Sequence, residues 1–185
     1  MLLTFFTEML DTLITSKTRL KLLMKFFLNS NSTSYLRQLE NEFSESTNAI
    51  RLELNRFEKA GFLKTTLSGN KKLYQANTGH PLYKDINSIL LKYVGFDQIV
   101  EKVVRKLGDL RCAYIIGEFA RGIDNHVIDL VLVCDGIDRE YLARLIERVE
   151  KLIKRRIRYI IFNEDEFSDY ATNLGAHEVL LLWKE

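Results

Sequence analysis

Ser44-Glu45-Ser46-Thr47-Asn48-Ala49-Ile50-Arg51-Leu52-Glu53-Leu54-Asn55-Arg56-Phe57-Glu58-Lys59-Ala60 is the stretch that decides how the N-terminal half is read. Ile50, Leu54 and Phe57 recur at helical spacing and mark a buried face. Ser44 and Ser46 offer N-cap oxygens before Thr47, and Gly61 supplies the C-terminal stop. Thr47, Asn48, Arg51 and Asn55 fall on the other face, where their side chains reach phosphates and base edges. Just upstream, Ser32, Thr33 and Ser34 offer caps for a helix of barely two turns, Tyr35-Leu36-Arg37-Gln38-Leu39. Downstream, residues 62–67 and 73–76 read as strands joined through Ser68-Gly69-Asn70-Lys71, a hairpin turn.

Helix, turn, helix and hairpin, in that order, is the order of a winged helix-turn-helix. The expectation is that the helix from Thr47 enters a major groove while Lys71 and Lys72 of the hairpin touch the backbone. Arg37 and Asn70 complete the set of candidate DNA contacts. The blander reading is a small helical domain with a solvated basic face, since polar helix faces are the norm. The hairpin and its paired lysines favour DNA.

Charge is distributed to match. The 185 residues carry a net charge of +2, but residues 1–94 hold 13 Lys+Arg against 8 Asp+Glu, and residues 95–185 hold 14 against 17. The basic half is the half with the helix-turn-helix pattern. A hydrophobic content of 46% and a charged content of 28% are ordinary for a globular protein. Cys112 and Cys134 lie in apolar segments without metal spacing, which predicts buried free thiols in a reducing cytoplasm. No run approaches transmembrane length, and Glu8 and Asp11 interrupt the apolar start too early for a signal peptide. A cytoplasmic protein without membrane contact is expected.

Leu2, Phe6, Met9 or Leu10, and Leu13 form an apolar stripe on a first helix, a candidate dimer seam. Residues 17–28 read as a second helix with Leu20, Leu23 and Phe27 inward and Lys17, Arg19, Lys21 and Lys25 solvated. After the hairpin, the segment containing Pro81, the chain's only proline, reads as a stop and hinge. Helices follow over 83–94 and 96–107, with a boundary near Gly95 between domains 1–94 and 95–185. From Arg111 the period changes. Strands are expected at 112–116, 127–133, 157–162 and 178–183, with an amphipathic helix over 138–154. The whole is read as α+β: a winged helix-turn-helix followed by a small α/β domain.

At Ile116-Gly117-Glu118-Phe119-Ala120-Arg121-Gly122 the second half resembles the minimal nucleotidyltransferase superfamily. That resemblance implies a Gly-Ser turn and loop holding nucleotide phosphates, an Asp-x-Asp on the next strand and a third carboxylate later, together binding divalent metal. Gly117, Ala120, Arg121 and Gly122 match, and Asp129 matches the second aspartate. Glu118 stands in place of the serine, Val127 in place of the first aspartate, and Arg158 and Tyr159 occupy the strand expected to carry the third acid. The N-terminal half is similar to ArsR-like winged-helix regulators through residues 16–20, 35–39, 59–64 and 69–74. It lacks the cysteine pairs of the metal sensors, and Leu52 departs from the usual polar residue.

Gly117, Glu118, Arg121, Gly122 and Asp129 are therefore candidate remnants of a nucleotide site, with no catalytic residue and no cofactor; magnesium enters only if the domain is an active enzyme. Weighed against these roles are a structural hydrogen bond for Asp129 at a strand edge and a salt bridge of Arg121 with Asp124 or a neighbour. A displaced metal site of Glu118, Asp124, Asp135 and Asp129 is the remote alternative. His126 reads as a loop residue, and His80 and His177 have no partner at useful spacing. Residues 154–158 form the densest basic run, read as a solvated helix end. The leading expectation is a homodimeric regulator binding double-stranded DNA, whose second domain serves dimerisation, partner binding or sensing of a nucleotide or small-molecule effector. An active nucleotidyltransferase and an antitoxin-like partner-binding module are the alternatives.

Overall fold

The computed structural model describes residues 12–175 and 178–185. The stripe from Leu2 to Leu10, and His177, lie outside the described residues. Helix α1 (Lys17–Leu23) is capped by the Ser16 hydroxyl, which accepts from the Arg19 amide at 3.2 Å. It runs directly into a π-helical turn, Met24–Leu28, all five residues of which are buried. Strand β1 (Thr33–Tyr35), helix α2 (Leu36–Phe43), helix α3 (Thr47–Lys59) and the hairpin β2 (Leu63–Ser68) and β3 (Lys71–Ala76) follow. The hairpin strand β3 is central in an antiparallel sheet of order β1-β3-β2.

Two local expectations change here. Ser32, Thr33 and Ser34 do not cap a helix. Thr33–Tyr35 pair with β3, and extended Tyr35 precedes α2 without a side-chain cap bond. Alternation explains it, because Ser34 points into the core and its neighbours point outward. Ser44 ends α2 in the left-handed conformation (φ 53°) and leaves capping of α3 to Ser46, whose hydroxyl accepts from the Ala49 amide at 3.2 Å.

Helices α4 (Tyr83–Val94) and α5 (Phe96–Lys102) meet at Gly95, at φ 89°. A single 3₁₀ turn, Val104–Lys106, replaces the expected continuation to residue 107. The second sheet has the order β6-β5-β4-β7, from strands β4 (Cys112–Ile116), β5 (Val127–Val133), β6 (Arg156–Phe162) and β7 (Val179–Lys184). Its β5–β6 pair is parallel and its other pairs antiparallel. The parallel pair requires a crossover, and α6 (Arg139–Ile153) supplies it, burying Leu142, Leu145, Ile146, Val149 and Ile153. Leu152, next to buried Ile153, is half-buried.

Sequence periodicity missed α7 (Glu164–Thr172), which buries no residue fully. Its signal was the capping box: Asn163 accepts from the Glu166 amide at 2.8 Å, and Glu166 accepts from the Asn163 amide at 2.9 Å. Phe167 stacks on Tyr114 and Tyr170 leans on Phe162, so α7 covers one end of a sheet face that α6 leaves bare. Among the described residues, no helix is long and apolar enough to cross a membrane.

Buried side chains from both halves form one connected cluster, from Leu22 and Phe27 through Val94 and Phe96 to Ile115 and Leu132. The helix 17–28 is the joint. On one side Arg19 bonds Glu53 (2.9 and 3.2 Å), Lys21 bonds Glu45 and the Phe43 carbonyl (both 2.9 Å), and Lys25 bonds Glu42 (2.7 Å). Lys25 is thus buried rather than solvated, at 5% exposure. On the other side Asn29 donates to the Ala120 carbonyl at 2.9 Å. An acid on the facing helix is what lets a lysine be buried.

Candidate functional site

Two surfaces carry the sequence-derived candidates. The first is the outward face of α3 with the adjoining hairpin. Ile50, Glu53, Leu54 and Phe57 of α3 are buried, and Thr47, Asn48, Arg51 and Asn55 are exposed. Glu53 is the unusual member of the buried face. Desolvation, the largest single influence, pushes its pKa up, but bonds and charge from Arg19 and Arg56 outweigh it and hold the carboxyl below its ordinary value.

Between the start of α3 and the hairpin lies a concavity of about 470 Å³, lined by Tyr35, Arg37, Thr47, Asn70, Lys71 and Lys72 among others. The ammonium of Lys71 sits 4.4 Å from the Tyr35 ring centre. Lys72 bonds Glu58 at 2.7 Å, which raises its pKa, and lies 5.4 Å from the Tyr74 ring centre. Five of the eight candidate contacts thus share one hollow, while Asn48, Arg51 and Asn55 continue outward along the helix. The positive charge here is unequal, since Glu58 compensates Lys72 and, among the described residues, no acid bonds Lys71.

The second surface is the loop 117–122 and the strand row beside it. The sheet register sets Val179, Ile116, Asp129 and Arg158 side by side across four strands. Asp129 lies on a central strand rather than at an edge, so the edge hydrogen bond expected for it is replaced by another partner. Arg158 grips it in a two-pronged pair, Nε to Oδ1 at 2.7 Å and Nη2 to Oδ2 at 3.0 Å. The bond to Asp129 raises the Arg158 pKa further. The Asp129 carboxylate also presses on the backbone of Gly117, where a Cβ would stand 2.9 Å from Oδ2. Around this pair is a hollow of about 390 Å³ with Ile116, Leu130 and Ile160 in its wall.

The loop itself is folded inward. The amides of Arg121, Gly122 and Ile123 donate to Gly117, Phe119 and Glu118 carbonyls within the loop. Phe119 is buried edge-on to Phe96 and beneath the Arg155 guanidinium. Glu118 accepts from Asn125. Asp124 pairs with Arg155 at 2.6 Å, not with Arg121 as the spacing suggested, and Asp135 pairs with Arg111. Among the described residues, the buried Arg121 Nε has no hydrogen-bond partner. Of the basic run 154–158, Lys154, Arg156 and Arg158 are exposed, as a solvated run would be, while Arg155 is mostly covered; Arg155, Arg156 and Arg158 each pair with an acid.

A magnesium site does not fit these residues. Metal ions of phosphoryl transfer need carboxylates that share them, and the only motif aspartate is occupied on both oxygens by a guanidinium. Among the described residues, no three of His, Cys, Asp and Glu stand together as a metal group would require. His126 is exposed in its loop, and His80 packs 4.4 Å from the Phe62 ring centre and accepts from the Leu82 amide. Both cysteines are free, and burial pushes the Cys134 thiol up.

No protein-family model matches the chain. No curated protein matches it either. Among solved structures, AF1382 from Archaeoglobus fulgidus is similar at 20% identity over 43% of this chain and 91% of its own, with a TM-score of 0.36. A candidate nucleotidyltransferase from Sulfolobus solfataricus is similar at 27% identity over 50% of this chain and 80% of its own, with a TM-score of 0.32. At such TM-scores neither likeness decides the fold, which rests on the chain's own strands and helices.

Proposed function

We propose that the chain is a DNA-binding regulator. In this reading α2, α3 and the β2–β3 hairpin act as a winged helix-turn-helix, and the second half is a nucleotidyltransferase-like domain that does not transfer nucleotides. The observation that carries the first part is the shared hollow of Arg37, Thr47, Asn70 and Lys71, continuous with the exposed Asn48, Arg51 and Asn55. Arg19, Lys21 and Lys25 bond acids within the fold, whereas Arg37, Arg51 and Lys71 are exposed, where a polyanion can reach them. The Arg158–Asp129 pair supports the second part, because it occupies the carboxylate that a metal would need. In this reading the protein works as a homodimer on a two-fold duplex site, since one short helix and one hairpin make a small interface.

Selection from a random duplex pool tests the regulator reading. An enriched site whose affinity falls with salt supports it. Enrichment no better than for a bulk duplex, or binding unaffected in Arg51→Ala, Asn55→Ala and Lys71→Ala, refutes it.

A further inference from the structure

Leu52 has no use in the packing of its own helix. It is 52% exposed, while Ile50, Leu54 and Phe57 form the buried face of α3 across the helix. At 3.6 residues per turn, Leu52 stands beside Asn48, four residues before it, and Asn55, three after it, near the middle of the outward face. Both neighbours are exposed and polar, and exposed Arg51 and Lys59 flank them. Lys71 of the hairpin lines the hollow at the start of the same helix, beside Thr47. An apolar side chain thus sits at the centre of a cationic, hydrogen-bonding face.

Such a face complements a polyanion, and among polyanions the duplex major groove offers one apolar group, the C5-methyl of thymine. We propose that Leu52 reads that methyl, and that Asn48 and Asn55 beside it favour adenine edges, so that the centre of each half-site is A·T. This rests on the DNA-binding reading above. Asparagine bonds adenine N6 and N7 in pairs, whereas leucine can bond nothing and gains only by covering carbon. Leucine at position 52 discriminates by the methyl alone.

The test uses the full chain and its best duplex from random-pool selection, with each thymine replaced in turn by deoxyuridine, which differs only by that methyl. At one position per bound α3, the replacement should weaken the parent about fourfold, the equivalent of about 0.8 kcal/mol for one buried carbon. Leu52→Ala should bind the thymine and deoxyuridine duplexes alike at that position. It should also unfold at the parent's temperature, because the side chain is exposed. If no thymine position responds, or if Leu52→Ala still discriminates as the parent does, the methyl contact is overturned while DNA binding stands. If no duplex is bound at all, the DNA reading falls and the contact with it.

Discussion

Gly122→Ala is the substitution that most directly probes how the two halves are joined. At Gly122 the backbone has φ +77°, and an added Cβ would stand 2.4 Å from the Lys25 Cα, 2.6 Å from the Met24 carbonyl oxygen and 2.9 Å from the Lys25 amide nitrogen. All three neighbours are backbone of the π-helical turn, so no side chain can swing aside. Two costs add. A left-handed alanine costs about 1–2 kcal/mol, and forcing carbon into a packed interior costs about 1–3 kcal/mol more. At about 2–4 °C per kcal/mol for a chain of this size, the expected loss is about 10 °C in thermal midpoint. Gly108→Ala is the control: its φ is +62° but nothing lies within 4 Å, so only the first cost applies and the loss is about 5 °C. Far-ultraviolet circular dichroism on both variants measures the difference. Equal midpoints for the two would refute the close seating of the loop 117–122 on the helix 17–28.

Glu53 makes part of the stability depend on acid. Its folded pKa lies below its ordinary 4.5, so its contribution is full above that value and lost as pH falls through the lower folded value. Denaturant titrations from pH 6 down to about pH 3 should show the parent losing more stability than Glu53→Gln, and parallel curves would contradict the pairing with Arg19 and Arg56. On DNA, Arg51→Ala and Asn55→Ala should relax base preference at about 1–3 kcal/mol each, read by competition among duplexes. Lys71→Ala should weaken all duplexes alike and reduce the salt slope by about 0.9. Lys72→Ala should do less, because Glu58 already compensates that charge; the reverse order would undo this assignment. Labelled nucleoside triphosphates with Mg²⁺ or Mn²⁺ should leave no label on the protein or on extract components. Transfer that vanishes in Asp129→Ala would instead establish an active enzyme.

The residue string alone determined where most elements lie, because local rules suffice for them. Ile50, Leu54 and Phe57 mark one side of a helix whatever covers it, and Ser68-Gly69-Asn70-Lys71 turns a hairpin through its own backbone preferences. The apolar strand at 127–133 and the amphipathic run answering to α6 are legible for the same reason. Helix α7 was missed because it buries little, leaving no apolar period to detect, although its capping box was written in Asn163 and Glu166.

Tertiary structure alone decided what the charges do. Spacing in sequence places Arg121 near Asp124, but Arg155, 31 residues away, takes that partner. Lys25 looks like any solvated helix cation until α2 brings Glu42 against it. Arg158 and Asp129 are 29 residues apart, and only the parallel register of β5 and β6 sets them side by side. The sequence tells that two motif carboxylates are absent. It does not tell that the remaining one is held by a guanidinium, since a charge pairs with whatever the fold brings within a few ångströms.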